Sequence, residues 1–304
     1  MTLPSSGTIS ILAIAMEFGG STPHSLSEFY GVASGIPTSG AIDLADFYGK
    51  SATIPADESM YVVPGTHSWT CPANVTSVHV LCIGGGATAG NAGQGGGGGG
   101  LGWKNNIAVS AGSSYTVVVG NSGQNSYFIN TSTVKGGGGS ITSGGTWTGD
   151  NGGNGGSGGT GTWPGGGGAG GYSGNGGNGG NGNNANDHYG YSGTNGAAGG
   201  GGGWFAGGGG GTGAYGLGMM GARGNGSSSS MFNGGGGGSG GERGTAYFPN
   251  QNGSNQSTTG GGEFGGGGGR SNAGKVGHSG VVRILWGGEN ATSWPSTNVG
   301  SSRS

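Results

Sequence analysis

Asp187 and His188 form the one acid–imidazole neighbour pair in the chain. Such a pair could polarise a nucleophile, but no serine or cysteine in a recognisable setting accompanies it. Gly49-Lys50-Ser51 copies the end of a phosphate-binding loop. The glycine that loop requires five residues earlier is Leu44, so the motif fails. His24, His67, His79, His188 and His278 form neither an HExxH pair nor a spaced Cys/His set, so no metal site and no cofactor is expected. Acidic residues are few and scattered, and no glycosidase carboxylate pair is indicated. GxGxxG spacings abound only because glycine does. The chemistry points away from an enzyme.

A second kind of chemistry is recognition. Amphipathic rings and flexible methionines make contact surfaces, and rings stack on sugars. They occur here in clusters that interrupt glycine tracts. His188, Tyr189 and Tyr191 form one, and Trp204 with Phe205 another. Tyr215, Met219 and Met220 follow, then Met231 with Phe232, and Tyr247 with Phe248. These are the receptor-contact candidates. The plainer reading is that they pack against the chain itself or a neighbouring subunit.

The segments that would carry these clusters are dominated by glycine, 91 of 304 residues. Only 9 prolines are present, which excludes collagen. Charge is 7%, lower than a solvated linker carries, and the net charge is −2 with no Lys/Arg run, so no nucleic-acid footprint is expected. Non-glycine residues recur every third position. Asn151, Asn154, Ser157, Thr160 and Trp163 are one row; Tyr172, Asn175, Asn178, Asn181, Asn184 and Asp187 are another. A polyproline-II-type helix has three residues per turn, so the pattern predicts polyglycine-II rods over residues 136–277. Ordering glycine costs roughly 1–2 kcal/mol per residue, which only a cooperative bundle offsets.

The flanks predict a β-sandwich, giving a mainly β fold class with the bundle inserted. MYVV, HSWT and SVHVLCI read as strands, followed by 103–109, 115–119 and 126–130. VVRILW, 281–286, is expected to pair with the early strands, so that 59–135 and 278–290 form one unit. Cys71 and Cys82 are read as small apolar strand residues in preference to a disulfide. Residues 51–58 read as a linker and 291–304 as a tail.

Residues 1–50 predict a small unit of short helical repeats. SLSEFYG (25–31) matches DLADFYG (43–49), and SGTISI matches SGAIDL. Ser25 and Asp43 take N-cap positions, with Glu28 and Asp46 completing capping boxes. Residues 10–18 read as a third helix. The apolar run at 9–16 is too short to span a bilayer, and no membrane insertion is expected. So small a unit suits attachment to a neighbour. Phe18, Leu26, Phe29, Tyr30, Leu44, Phe47 and Tyr48 are the attachment candidates.

WTCPANVTSVHVLCIGGG, GGGGGGLGW, SSYTVVVG and GHSGVVRILWG together resemble the glycine-rich domains of bacteriophage tail-fibre and other virion proteins. PSSGTISI, SLSEFYG and PTSGAIDLADFYG are similar to N-terminal segments of phage structural proteins, and VVRILWGGENATSWPSTN to C-terminal ones. The central insert is similar to tip adhesins in composition and not in detail. The resemblance implies a virion location, on the outer surface of a tail or fibre. Residues 1–50 would bind other virion proteins, and the glycine-rich loops would meet a bacterial surface receptor or glycan. A homo-oligomer, for instance a trimer as in fibres, is compatible with it. The alternative it leaves is a purely structural fibre, decoration or connector protein.

Overall fold

The computed structural model describes residues 3–50, 57–90, 93–141, 143–182, 194, 196–197, 199–200, 207–214, 261–262, 264–269, 276–287 and 293–295.

Residues 3–50 build their own core. Helix α1, Ile11–Phe18, starts where the Ser10 hydroxyl accepts from Ala13 N at 3.1 Å. It stops at Gly19, whose φ of 80° favours glycine and whose N–H donates to Ala15 O. The two heptapeptides form single 3-10 helices, Leu26–Phe29 and Leu44–Phe47. Four residues between a cap and a terminating Tyr-Gly leave no room for a longer α-helix. The expected capping contacts are present: Ser25 N donates to Glu28 Oε1 and Asp43 N to Asp46 Oδ2, each at 2.9 Å. Leu3, Ile9, Ile14, Phe29, Ile36 and Phe47 close the core.

The rest is mainly β, with two antiparallel five-stranded sheets. In chain order the strands are β1 Asp57–Tyr61, β2 Gly65–Thr70, β3 Ser77–Ile83, β4 Leu101–Ala108 and β5 Ser114–Val119. Then come β6 Ser126–Phe128, β7 Val134–Gly136, β8 Trp147–Thr148, β9 Asn151–Gly153 and β10 Val281–Trp286. The first sheet runs β1-β10-β3-β4-β9 and the second β2-β5-β6-β7-β8. β10 sits between β1 and β3, so the far end of the chain completes the early sheet.

Between the sheets lie Trp69, Val78, Val80, Cys82, Val117, Phe128, Val282, Ile284 and Trp286. The intervening residues of β3 and β10 face the other way: Leu81, Ile83, Val281 and Leu285 join a second cluster with Trp103, Tyr172 and Trp294. The central strands β3 and β10 are therefore buried on both faces. That is why SVHVLCI and VVRILW read as nearly continuous apolar runs rather than alternating ones.

Several boundaries differ from the sequence reading. Asp57 and Glu58, expected in the linker, open β1 because they pair with Trp286 and Leu285 of β10, and β7 at Val134–Gly136 is a strand that the sequence reading does not include. β8 and β9 fall inside the expected insert, so Asn151 is a strand residue paired with Trp103. Residues 84–100, which read as a gap between strands, bond closely to the glycine-rich segments. A pure glycine run has no side-chain phase by which to recognise this. The strand expected at 103–109 begins at Leu101, because the residues before Trp103 already pair with β3 and β9.

Candidate functional site

The glycine-rich layer is built one N–H at a time. Gly95, Gly96 and Gly97 donate to Gly159, Gly268 and Ser140; Gly98, Gly99 and Gly100 donate to Gly156, Gly265 and Gly137, at 2.7–2.9 Å. Successive donors thus reach three different neighbouring segments, and the cycle repeats after three residues. Three other segments donate back: Ala87 and Gly84 to Gly97 and Gly100, Gly145 to Gly98, and Gly167 and Gly170 to Gly96 and Gly99. One six-residue stretch is therefore bonded to six neighbours. Residues 165–170 repeat the arrangement, donating in turn to Gly180, Gly207, Gly96, Gly177, Gly210 and Gly99. Every backbone polar group so buried needs such a partner.

The polar rows fix which segments lie side by side. Asn154, Ser157 and Thr160 each donate their backbone N–H to the side-chain oxygen of Asn175, Asn178 and Asn181, at 3.0, 2.8 and 2.9 Å. Gly176, Gly179 and Gly182 donate back to the carbonyls of Asn154, Ser157 and Thr160. Each step is a closed pair of bonds, three steps long. Three members of each row singled out by three-residue spacing are brought together here; Asn184 and Asp187 lie outside the described residues.

The layer has two ends. At one, residues 100–101 pass into β4 and 83–84 leave β3. At the other, Gly90 donates to Gln94 O, Gly161 to Gly93 O and Gly182 to Thr160 O. We call this remote end the apex. The chain leaves the described layer at the apex after Gly182, and Gly207, where it returns after 201–206, accepts from Gly166 close by.

All twelve receptor-contact candidates lie outside the described residues: His188, Tyr189, Tyr191, Trp204, Phe205, Tyr215, Met219, Met220, Met231, Phe232, Tyr247 and Phe248. Their flanks still divide them. The first five belong to segments entered or left at the apex. The other seven follow Ala214, which is packed against the first sheet and whose carbonyl accepts from Arg283.

That outer face of the first sheet is a closed aromatic and ionic cluster. Arg283 has no exposed surface, and its guanidinium pairs with Glu58, bonds Ala214 O at 2.8 Å and lies 5.7 Å under the Trp294 ring. Trp294 stacks on Tyr172, whose hydroxyl donates to Gly213 O at 2.9 Å. Asn105 holds the Trp294 backbone, accepting from its N–H at 3.0 Å and donating to its carbonyl at 2.9 Å. Sequence reasoning passed over Arg283 and Asn105. A single arginine in an apolar strand, VVRILW, was the available signal.

The attachment candidates divide as well. Phe29 and Phe47 are buried and packed edge to face at 6.0 Å, so they hold the module together. Phe18 also packs on Phe47. The hydroxyls of Tyr30 and Tyr48 donate to Gly40 and Gly7 carbonyls, and Gly31 and Gly49 N–H donate to Pro37 and Pro4. Each Tyr-Gly pair thereby clamps one Pro-Ser/Thr-Ser-Gly turn, which explains why both motifs recur together. Leu26 is half-buried, and Leu44 is exposed at its edge. Within residues 3–50 the most exposed large apolar side chains are Leu12 at 60% and Met16 at 70%, one turn apart on α1. They border an open hollow of about 500 Å³, lined also by Ala15, Gly20, Ser21, Thr22 and His24. Leu12 and Met16 were missed because the same spacing also marks a buried helix face.

Cys71 and Cys82 are buried free thiols, and burial pushes both up from the usual thiol range. Among the described residues, no group of three or more His, Cys, Asp or Glu could hold a metal ion. Among them, too, no helix is long and apolar enough to cross a membrane. No protein-family model matches the chain, and no curated protein matches its sequence.

Proposed function

We propose that the chain is a non-enzymatic bacteriophage virion protein of tail-fibre or tail-tip type. In this reading the glycine-rich layer is a polyglycine-II-type bundle, inserted in the sandwich, that carries recognition loops at its apex. Their target is a host-surface protein or glycan. Residues 1–50 bind other virion proteins, with the Leu12 and Met16 face as the contact.

The observation that carries this reading is the three-way cycle of donors from residues 95–100. A helix with three residues per turn directs successive N–H groups in three directions, which a linker has no reason to do. A layer tied together in this way is rigid, and rigid supports position loops for binding. Tyr189, Tyr191, Trp204 and Phe205 belong to segments that meet the layer at the end away from the sandwich. The virion location itself rests on the sequence resemblance.

The test is adsorption. Changing Tyr189, Trp204 and Phe205 to Ala, singly and together, should lower adsorption to host cells while the unfolding midpoint stays unchanged. Unaltered adsorption for all of them would discard the recognition role. The structural alternative has one observation in its favour: Tyr172 and Trp294 are used for packing and not for display. A particle reconstruction separates the two readings. A distal apex favours adhesion, and an apex buried between subunits favours structure.

A further inference from the structure

Five Asn-Gly steps have both residues described: 151–152, 154–155, 175–176, 178–179 and 181–182. Asn-Gly is chemically fragile. The glycine nitrogen can attack the side-chain amide carbon of the preceding asparagine, and glycine has no Cβ to obstruct it. Whether this happens in a folded chain depends on where that nitrogen is held.

At four of the five steps it is held away. Gly155 N donates to Gly145 O, Gly176 N to Asn154 O and Gly179 N to Ser157 O, each at 2.8 Å, and Gly182 N to Thr160 O at 2.7 Å. At three of these the asparagine is held too, since the side-chain oxygens of Asn175, Asn178 and Asn181 accept from the neighbouring segment. The fifth step is different. Gly152 N donates to the Oδ1 of Asn151 itself, at 2.8 Å. The Gly152 nitrogen is thus held at the side-chain amide it would attack; Asn151 is exposed to water, while Gly152 is buried in register with Gly102.

We propose that Asn151 is a site of spontaneous deamidation in the folded protein, and that the layer's backbone bonds protect the other four steps. Gly152 N gives up its proton to hydroxide, which reaches it at the exposed Asn151 side, and bonds to Asn151 Cγ. The amide nitrogen departs as ammonia, leaving a five-membered succinimide. Water then opens the ring at either carbonyl carbon, giving aspartate or isoaspartate. Asn121–Ser122 shares the contact at 2.8 Å, with the Ser122 Cβ making it the slower of the two.

The position gives the change a consequence. The new carboxylate stands next to Asp150, which accepts from Asn105 N at 2.9 Å and faces Lys104 at 3.8 Å. The isoaspartyl product also lengthens the main chain where Asn151 pairs with Trp103. There the first sheet hands the chain to the row of Asn154, Ser157 and Thr160. An ageing protein would loosen at that junction first.

The test uses the whole purified protein, incubated folded and, in parallel, in denaturant at mildly alkaline pH. Peptide mass mapping follows the mass gain of amide-to-acid exchange, and an isoaspartyl methyltransferase detects the rearranged product. In the folded protein Asn151 should convert at least about tenfold faster than Asn175, Asn178 or Asn181, because Gly152 N is held at its own side-chain amide while the other glycine nitrogens are held elsewhere. In denaturant that gap should close. Asn151→Gln should remove the signal from its peptide, which also contains Asn154. Equal conversion of the rows and Asn151 in the folded protein overturns the proposal. So does a signal that persists in Asn151→Gln, or an Asn151 that is inert until unfolded.

Discussion

At the scale of single residues, glycine is required in the layer for the room it leaves. A Cβ at Gly98 would lie 2.0 Å from the carbonyl oxygen of Gly168, a backbone atom that the rest of the layer holds in place. A Cβ at Gly174 meets nothing within 4 Å. Gly98→Ala should therefore cost on the order of 3 kcal/mol or more, through overpacking that rotamer changes cannot relieve. Gly174→Ala should leave stability within about 0.5 kcal/mol of the parent, or raise it slightly by restricting the unfolded chain. Denaturant unfolding of the two variants compares them directly. The contrast also marks what the sequence could and could not reveal. The Asn, Ser and Thr rows were legible because side chains at every third position carry a phase. Residues 95–100 were not, because a pure glycine run records nothing of which neighbours surround it.

At the scale of elements, the first sheet depends on an ion pair at its outer face. Arg283 is covered by Trp294 and Ala214, and Glu58 is its carboxylate partner. Arg283→Ala would leave the Ala214 carbonyl without its donor and empty the space beneath Trp294, whereas Glu58 is exposed and can turn to water. A loss of about 2–4 kcal/mol is expected, from the cavity and the unpaired carbonyl. Arg283→Met should cost clearly less, since it refills the volume. Unfolding midpoints of the two variants check the order. In the N-terminal module the Glu28 carboxylate is held below the usual carboxylate range, first by the Ser25 N–H and also by the Ser21 N–H. A lowered folded-state value means this contribution is complete above the ordinary carboxylate value and fades as pH falls through the folded one. Exchange protection of the Ser25 amide should therefore decline on acidification in that window, and Glu28→Gln should remove the dependence. The capping boxes behind this were readable in the sequence. The short 3-10 form was not, because helix length is set by the Tyr-Gly clamps on Pro4–Gly7 and Pro37–Gly40, which are tertiary contacts.

At the scale of the whole molecule, the N-terminal module and the glycine-rich layer present different kinds of surface. The layer offers buried glycine and exposed polar rows, with its aromatic clusters confined to segments beyond the described residues. The module has its two ends tied together, Leu3 N to Lys50 O and Gly49 N to Pro4 O, each at 2.9 Å. Its chain therefore enters and leaves at one edge. Leu12 and Met16 add nothing to its core, yet both are large and apolar. Burying each against a partner would contribute about 1.5–3 kcal/mol, enough to anchor a small unit. If this face is the attachment surface, Leu12→Asp with Met16→Ser should leave the module folded and lower incorporation into particles by at least about tenfold. Adsorption of the free protein to host cells should not change if, as proposed, the recognition loops at the apex carry it. Particle composition after assembly with the variant measures the first effect, and cell binding by the purified chain measures the second. Normal incorporation would move attachment away from α1. Loss of both properties would mean that the module and the layer do not act independently.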